Sequence, residues 1–203
     1  MIQPPERLPE RDAAIEAMLP HVPFDGWTIR ALRAGLADAR MPADEATLLF
    51  PLGAVDMVAV FCDLADRRMT EAAAALTETK LTTRVRAIIA LRLDMNRPHK
   101  EAIRRALALL ALPGHAREAA KITARTVDAI WHAAGDRSAD FSWYTKRAIL
   151  AAVYGATLLF WLRDRSDGDA DTLAFVERRL KDVGRIGKIR GRVEALLGRL
   201  RPA

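Results

Sequence analysis

The chain has 203 residues and a formal net charge of +6, and 51% of its residues are hydrophobic although only 6% are aromatic. This length suits one domain with its own core, and an apolar content without many aromatic residues is typical of helices. The single cysteine, Cys62, excludes an intramolecular disulfide framework and a cysteine-based zinc or iron–sulfur site in a monomer.

Helical periodicity runs through almost the whole chain, and no segment alternates apolar and polar residues for long enough to predict a strand. In residues 20–26 two prolines and a glycine are expected to end the first helix. The sequence therefore predicts an all-α chain of about nine helices, with approximate bounds of 12–19, 27–39, 44–50, 53–79, 81–93, 98–112, 116–134, 138–162 and from 172 onward. In the long fourth helix one apolar face combines Val58, Phe61, Cys62, Ala65 and Met69.

The chain begins without the pattern of a targeting segment. Residues 1–11 are charged and rich in proline, unlike a secretory signal or a transit peptide. The longest charge-free stretch, residues 148–162, is too short to span a bilayer, which takes about 20 apolar residues. We therefore expect a cytoplasmic protein in which residues 148–162 form a buried helix or an apolar binding wall.

Patterns that would support catalysis or metal binding are sparse. The four histidines are dispersed, and no two of them stand at the spacing of metal ligands. Cys62 lies on an apolar face beside Asp63, which does not favour a reactive thiolate. The sequence contains no glycine-rich phosphate loop and no nucleophile elbow. We expect no enzymatic activity, no metal and no cofactor.

Short helices predicted within residues 28–51 could form a helix-turn-helix. A DNA-binding protein needs cations at such a motif, because phosphate neutralisation supplies much of the affinity. Residues 41–66 contain five acids and no lysine or arginine. The predicted recognition helix, residues 44–50, would therefore present carboxylates where phosphates would lie, and we expect no nucleic acid partner.

Aromatic and cationic residues crowd the start of the eighth predicted helix. Phe141, Trp143 and Tyr144 stand beside Lys146 and Arg147, and Trp131 precedes them across the connecting loop. This combination favours a protein interface or a lipid headgroup site. The alternative is that the aromatic side chains only pack the corner of the helix.

The positive charge of the chain is concentrated at its C-terminal end. Residues 178–203 carry nine cations and two acids, so the preceding residues have a net charge of −1. Within this end a narrow apolar stripe is backed by cations such as Lys188 and Arg192; the stripe consists of Ile186, Ile189, Val193, Leu196, Leu197 and Leu200. Such a basic amphipathic segment favours an anionic membrane surface, the alternative being a solvated or dimer-packed terminal helix. We divide the chain into a helical domain, residues 1–183, and a membrane-binding tail, residues 184–203.

Several motifs resemble one known family. The most specific are Thr-Val-Asp-Ala-Ile-Trp-His-Ala-Ala-Gly-Asp at residues 126–136 and Asp-Phe-Ser-Trp-Tyr-Thr-Lys-Arg at residues 140–147, with further matches at 19–28, 49–56 and 97–101. Together they resemble the accessory lipid-binding proteins of ubiquinone (coenzyme Q) biosynthesis, the rpsU-divergently transcribed family. The resemblance extends over residues 19–183.

This resemblance implies a TetR-regulator-like fold that dimerises and binds lipid in an apolar cavity instead of DNA. It further implies support of the di-iron hydroxylase that acts on demethoxyubiquinone, through a surface patch and a C-terminal amphipathic helix that meets the membrane. By motif, the partner patch would contain Ile130, Trp131, Trp143 and Tyr144. Arg147 would hold a phospholipid headgroup, and the cavity wall would include Leu150, Val153, Leu158 and Leu159.

The sequence thus predicts a non-catalytic protein that binds an isoprenoid or phospholipid and presents the quinone precursor to its hydroxylase. It would be a homodimer, peripheral on the inner face of a bacterial cytoplasmic membrane. The alternative is a TetR-type transcription regulator with a lipid effector, and a third possibility, an enzyme, has no catalytic residues to support it.

Overall fold

A computed structural model describes residues 3–136 and 142–182 of the chain. Within these ranges the secondary structure is helical and contains no strand, which confirms the all-α prediction. The ten helices are α1 Pro9–Met18, α2 Val22–Asp25, α3 Ile29–Asp38, α4 Ala46–Leu49, α5 Ala54–Ala72, α6 Leu81–Met95, α7 Lys100–Leu110, α8 Ala116–Ala133, α9 Ser142–Trp161 and α10 over residues 170–182. The chain divides into two compact units, Met1–Ser138 and Ala139–Ala203.

The first unit is built around α5, which packs against α8, while α1 packs against both α3 and α5. A Cβ atom at Gly35 of α3 would lie only 2.4 Å from the carbonyl oxygen of Ala17, so glycine is needed where α1 and α3 meet. Thr28 caps α3, because its hydroxyl accepts a hydrogen bond from the N–H of Ala31 at 3.2 Å. The predicted apolar stripe of α5 is confirmed at Val58, Phe61, Ala65 and Met69, which are buried, whereas Cys62 is half-buried.

Two stretches of the first unit differ most from the predicted helices. Residues 20–26, expected to be non-helical, contain the single-turn helix α2, which has Pro23 in its first turn and ends at Gly26 with φ of +71°. The fourth predicted helix, residues 53–79, is shorter, since α5 ends at Ala72 and is followed by a 3₁₀ turn. The Arg84 guanidinium group binds the carbonyl oxygens there, at 2.9 Å from Leu76 and 3.2 Å from Ala73, and so caps the helix end from another element.

The second unit contains α9 and α10, joined by residues 162–169. The carboxylate of Asp164 fixes this link by accepting hydrogen bonds from both the backbone and the hydroxyl groups of Ser166 and Thr172. Phe160 of α9 stacks on Phe175 of α10, with ring centroids 4.7 Å apart. Helix α10 begins at residue 170, two residues earlier than predicted.

In the described ranges no single helix has both the length and the apolar composition to cross a membrane. One pair of segments, Ala43–Leu49 and Ala54–Ala75, meets the length and composition test together, although the two are bent by 84° relative to each other.

Candidate functional site

Helix α9 has two different apolar faces. Leu150, Val153 and Trp161 are buried and recur at intervals of three and eight residues along one face. Leu159, on the opposite side of the helix, is 62% exposed, and Ile149 and Phe160, at the edge of the buried face, are 37% and 36% exposed. Because residues 148–162 contain no charged side chain, both faces lack the charges that normally cover a surface helix.

The five predicted lipid-binding residues lie on different sides of α9. Leu150 and Val153 are buried, Arg147 and Leu158 are half-buried, and Leu159 is exposed. Leu150 and Leu159 are nine residues apart, which places them on opposite sides of a helix with 3.6 residues per turn. Leu150 and Leu159 therefore do not line the same wall, and the role of the five residues in lipid binding stays a prediction.

The predicted partner residues differ in how far their side chains are exposed. Ile130 is fully buried, so its side chain exposes no surface in this structure, and its assignment to the partner patch stays a prediction from the sequence. Trp131 is half-buried, and its indole N–H has no acceptor among the described residues. Tyr144 is 72% exposed in the first turn of α9. The side chain of Trp143 is outside the described structure.

The predicted membrane-binding residues lie beyond the described part of the chain. These are Ile186, Ile189, Val193, Leu196, Leu197, Leu200, Lys188 and Arg192. Their role stays a prediction from the sequence.

Helix α5 holds carboxylates that pair with arginines of other parts of the chain. Arg11 Nη2 lies 2.6 Å from Asp56 Oδ2, and both side chains are almost completely buried. Arg7 binds both oxygens of Asp63, at 2.8 and 2.9 Å, which ties the segment before α1 to α5. These partners are at least 45 residues apart in sequence, so local sequence patterns could not reveal them.

Asp66 is buried and bridges three helices. Arg92 Nη1 of α6 lies 2.6 Å from its Oδ1, and the hydroxyl group of Thr126 of α8 donates to its Oδ2 at 3.0 Å. Burial raises the pKa of Asp66, while the positive charge of Arg92 and the hydrogen bond from Thr126 lower it. The group therefore links α5, α6 and α8 through one compensated charge.

These ion pairs change the electrostatic argument about the helix-turn-helix region. Of the five acids within residues 41–66, Asp56, Asp63 and Asp66 are engaged with arginines. Asp44 and Glu45, immediately before α4, remain exposed, and no lysine or arginine lies in this stretch. The surface at α4 is thus acidic through two residues rather than five.

Cys62 does not have the environment of a reactive thiol. Burial raises the pKa of the Cys62 thiol to about 12, so the thiol stays protonated at neutral pH. No group of three or more His, Cys, Asp or Glu residues within the described ranges is arranged to hold a metal ion.

Two sequence comparisons match this chain to proteins described as COQ9. A sequence profile described as COQ9 matches residues 116–187. The mitochondrial ubiquinone biosynthesis protein COQ9 of Xenopus tropicalis is 34% identical over 191 residues, which cover 90% of this chain and 59% of that protein. The corresponding protein of Schizosaccharomyces pombe is 32% identical over 180 residues, with coverage of 88% and 72%.

A solved structure supports the predicted fold. A TetR transcriptional regulator from Nitrosomonas europaea ATCC 19718 superposes with a TM-score of 0.68 at 22% identity, covering 86% of this chain and 97% of that one. This likeness concerns the fold alone, and it confirms the expected TetR-like architecture.

The names of the relatives bear on two predictions, the location of the protein and its lack of enzymatic activity. The expectation of a cytoplasmic protein at a bacterial cytoplasmic membrane is wrong, because the relatives are mitochondrial proteins of eukaryotes. Their names describe a biosynthesis protein and state no enzymatic reaction. The chain spans about 59% of the length of the frog and fly relatives that it matches. Its identity to the frog protein over most of its own length, and to the yeast protein over most of both chains, shows that it belongs to the COQ9 family of ubiquinone biosynthesis proteins.

Proposed function

We propose that this chain is a non-catalytic accessory protein of ubiquinone biosynthesis. In this proposal it binds an isoprenoid or a phospholipid and presents the quinone precursor to the demethoxyubiquinone hydroxylase at a membrane. The observation that carries the proposal is the charge-free helix α9, with apolar side chains on both its buried and its exposed face. The family relationship supplies the pathway.

The chemistry of the precursor explains why such a protein is needed. A polyisoprenoid tail exposes many methylene and methyl groups, each of which costs about 0.8 kcal/mol in water. The tail therefore reaches an active site outside the bilayer only with an apolar carrier or by docking of the enzyme at the membrane. The buried face of α9, with Leu150 and Val153, is the wall that we assign to the carrier's interior.

Arg147 is suited to hold the headgroup of a lipid. It is half-buried and lies less than one turn before Leu150, so a cation and an apolar wall adjoin on one helix. Guanidinium groups bind phosphate through two parallel hydrogen bonds, which fixes both position and orientation. An amphiphile would thus be oriented with its head at Arg147 and its chain along Leu150 and Val153.

We assign the exposed face of α9 to contact with a second copy of the chain. Leu159 and Phe160 leave apolar area in water, and burying a leucine or phenylalanine side chain contributes about 1.5–3 kcal/mol. The Phe160–Phe175 stack joins α10 to the same side of this unit. We therefore assign this face to the expected homodimer.

Tyr144 and Trp131 are the described residues that we assign to the hydroxylase. Tyrosine and tryptophan dominate the binding energy of many interfaces, because they combine a large apolar area with a polar group. The exposed ring of Tyr144 and the indole N–H of Trp131, which lacks an acceptor in the described structure, both suit this role.

The headgroup assignment is tested by the lipids that co-purify with the protein, identified by native mass spectrometry. Arg147→Glu should remove bound phospholipid, whereas Arg163→Glu, an equal charge change at an exposed position after α9, should not. The same spectra report subunit number. A parent protein free of phospholipid and isoprenoid would contradict the proposal.

Hydroxylase binding is tested with two exposed aromatic residues. Tyr144→Lys should weaken association about tenfold or more, the effect of an interface hot spot. Phe24→Lys is the matched control, since Phe24 is 84% exposed on α2. Equal affinity of the Tyr144 variant and the parent would remove this residue from the partner surface.

Membrane binding is tested with vesicles. Deleting residues 185–203 should abolish flotation with anionic vesicles while the helicity of the remaining chain is retained. Unchanged flotation would remove the tail from the mechanism.

The alternative function, a transcription regulator, is tested by DNA binding. A salt-dependent and sequence-selective shift of DNA would overturn our proposal. The exposed Asp44 and Glu45 beside α4 support the absence of such binding.

A further inference from the structure

The first unit contains an open groove that the proposed function does not use. Its volume is about 1040 Å³, at the upper end of the range of small-molecule sites. The walls come from the segment before α1, from α4 with the start of α5, and from the start of α8. All of these elements belong to the first unit, whereas the lipid site proposed above rests on α9 of the second.

One wall of the groove is apolar. Leu48 of α4 and Leu52 before α5 are each 80% exposed, and Val55 continues this wall along α5. Two leucines at this exposure leave most of their apolar surface in water. An aliphatic chain lying along them would remove that surface from water without needing any hydrogen bond.

The facing wall is cationic. Arg117, Lys121 and Arg125 follow one another at intervals of four residues and so share one face of α8. Lys121 is paired with Glu118 at 2.9 Å. Arg117 is exposed and forms no ion pair with a described residue, so the positive charge of this wall is only partly compensated.

Guanidinium nitrogens buried at the groove lack acceptors. Arg125 donates from Nη1 to the carbonyl oxygen of Gln3 at 3.1 Å, but its buried Nη2 has no hydrogen-bond partner among the described residues. Arg11 is 5% exposed, and its Nε also lacks a partner there although Nη2 is paired with Asp56. Buried donors without acceptors are costly, and an anionic oxygen would satisfy them.

The acidic residues of the lining do not cancel this charge. Asp56 and Glu118 are each neutralised by their own ion pair, with Arg11 and Lys121. The exposed Glu6 is left against Arg117 and Arg125. The groove therefore combines an excess of positive charge on one wall with aliphatic side chains on the other.

We propose that this groove binds a single-chain anionic amphiphile, with its acidic head at Arg117 and Arg125 and its aliphatic chain along Leu48, Leu52 and Val55. The head is a carboxylate or a phosphate, since a guanidinium group binds both. The groove is a second ligand site, separate from the one that we assign to α9.

Three ligands with the same twelve-carbon chain test the proposal by calorimetric titration below their micellar concentrations. Laurate or dodecyl phosphate should bind, and comparison of the two identifies the head. Dodecanol should bind at least about tenfold more weakly, because it cannot form the charge-assisted hydrogen bonds. Equal binding of dodecanol, or no binding of either anion, would overturn the proposal.

Variants with matched controls locate the site. Arg117→Glu and Leu52→Asp should each weaken binding of the anion about tenfold, and neither should unfold the chain because both side chains are exposed. Arg33→Glu on α3 and Phe24→Asp on α2 repeat these changes at exposed positions outside the groove lining and should leave the affinity unchanged. Loss of affinity in the controls alone would contradict the assignment.

A photoreactive laurate separates this site from the one on α9. Its crosslinks should map to residues 48–59, and crosslinks confined to residues 142–161 would overturn the proposal. Failure of hydroxylase binding or of isoprenoid binding would refute the proposed function, but it would leave the crosslinks in residues 48–59 unaffected.

Discussion

The two units use charge in opposite ways. In the first unit Asp56, Asp63 and Asp66 of α5 are each paired with an arginine of another element or segment, so charges hold helices together from the inside. In the second unit α9 has no charged side chain from residue 148 to residue 162, and its outer face is apolar. Buried charged side chains thus join helices in the first unit, whereas α9 of the second unit exposes an uncharged surface to apolar partners.

The largest effect is expected from breaking the buried ion pair between α5 and α6. Arg92→Met leaves the carboxylate of Asp66 without its counter-charge and should lower the free energy of unfolding by about 3–5 kcal/mol. Arg97→Met, which removes an exposed pair with Asp94, should cost less than about 1 kcal/mol. Urea denaturation followed by circular dichroism measures both.

The pH dependence of the Arg92 variant checks the cause. Burial already raises the pKa of Asp66, and loss of Arg92 should raise it further. Since the pKa of the folded state then exceeds that of the unfolded chain, the penalty applies to the ionised form and is relieved as the pH falls through the folded-state pKa. A loss of stability relative to the parent that stays constant on acidification would show that the lost arginine acts through packing alone.

The two faces of α9 can be compared by one chemical change at two leucines. Leu150→Ala removes a buried side chain and should lower the free energy of unfolding by about 2–5 kcal/mol at any protein concentration. Leu159→Ala should affect only the part of the stability that depends on protein concentration, because we assign this exposed residue to the homodimer. An effect of Leu159→Ala that is independent of concentration would contradict that assignment.

Helical periodicity was sufficient to predict an all-α chain, but it could not distinguish the faces of α9. Periodicity reveals a buried face only where polar residues mark the opposite face, as around Val58 and Met69 in α5. Residues 148–162 are apolar on all sides, so the sequence offers no contrast between Leu150 and Leu159. The structure supplies that distinction through burial.

Long-range ion pairs were equally hidden from local patterns. The sequence identified Asp63 only as an acid beside Cys62, whereas Arg7, 56 residues away, binds both of its oxygens. Arg84 of α6 is a second long-range partner, since its guanidinium group donates hydrogen bonds to the carbonyl oxygens of Ala73 and Leu76 after the end of α5. Motif resemblance, in contrast, found the family, because the run around Trp131 and Tyr144 is specific without any knowledge of contacts.

Two glycines test how closely each unit is packed. Gly35→Ala should lower the free energy of unfolding by about 1–3 kcal/mol, because the new Cβ atom would meet the backbone of Ala17 at 2.4 Å. Gly155→Ala in α9 meets nothing within 4 Å and should raise stability by about 0.5–1 kcal/mol through its better helix propensity. Thermal unfolding of both variants measures the difference, and destabilisation by Gly155→Ala would show that another molecule covers this position.

The smallest effect is expected for Asp164, the polar anchor of the link between α9 and α10. Burial favours its neutral form, but four hydrogen bonds from Ser166 and Thr172 outweigh it and hold the pKa of Asp164 well below its usual range. Asp164→Ala removes an acceptor for the first turn of α10 and should cost about 0.5–2 kcal/mol, with Asp167→Ala as the exposed control. Because the folded-state pKa lies below that of the unfolded chain, the parent's advantage is complete at neutral pH and declines as the pH falls below about 4. If the difference between the two proteins persisted unchanged under acid conditions, the negative charge of Asp164 would not be what fixes the link.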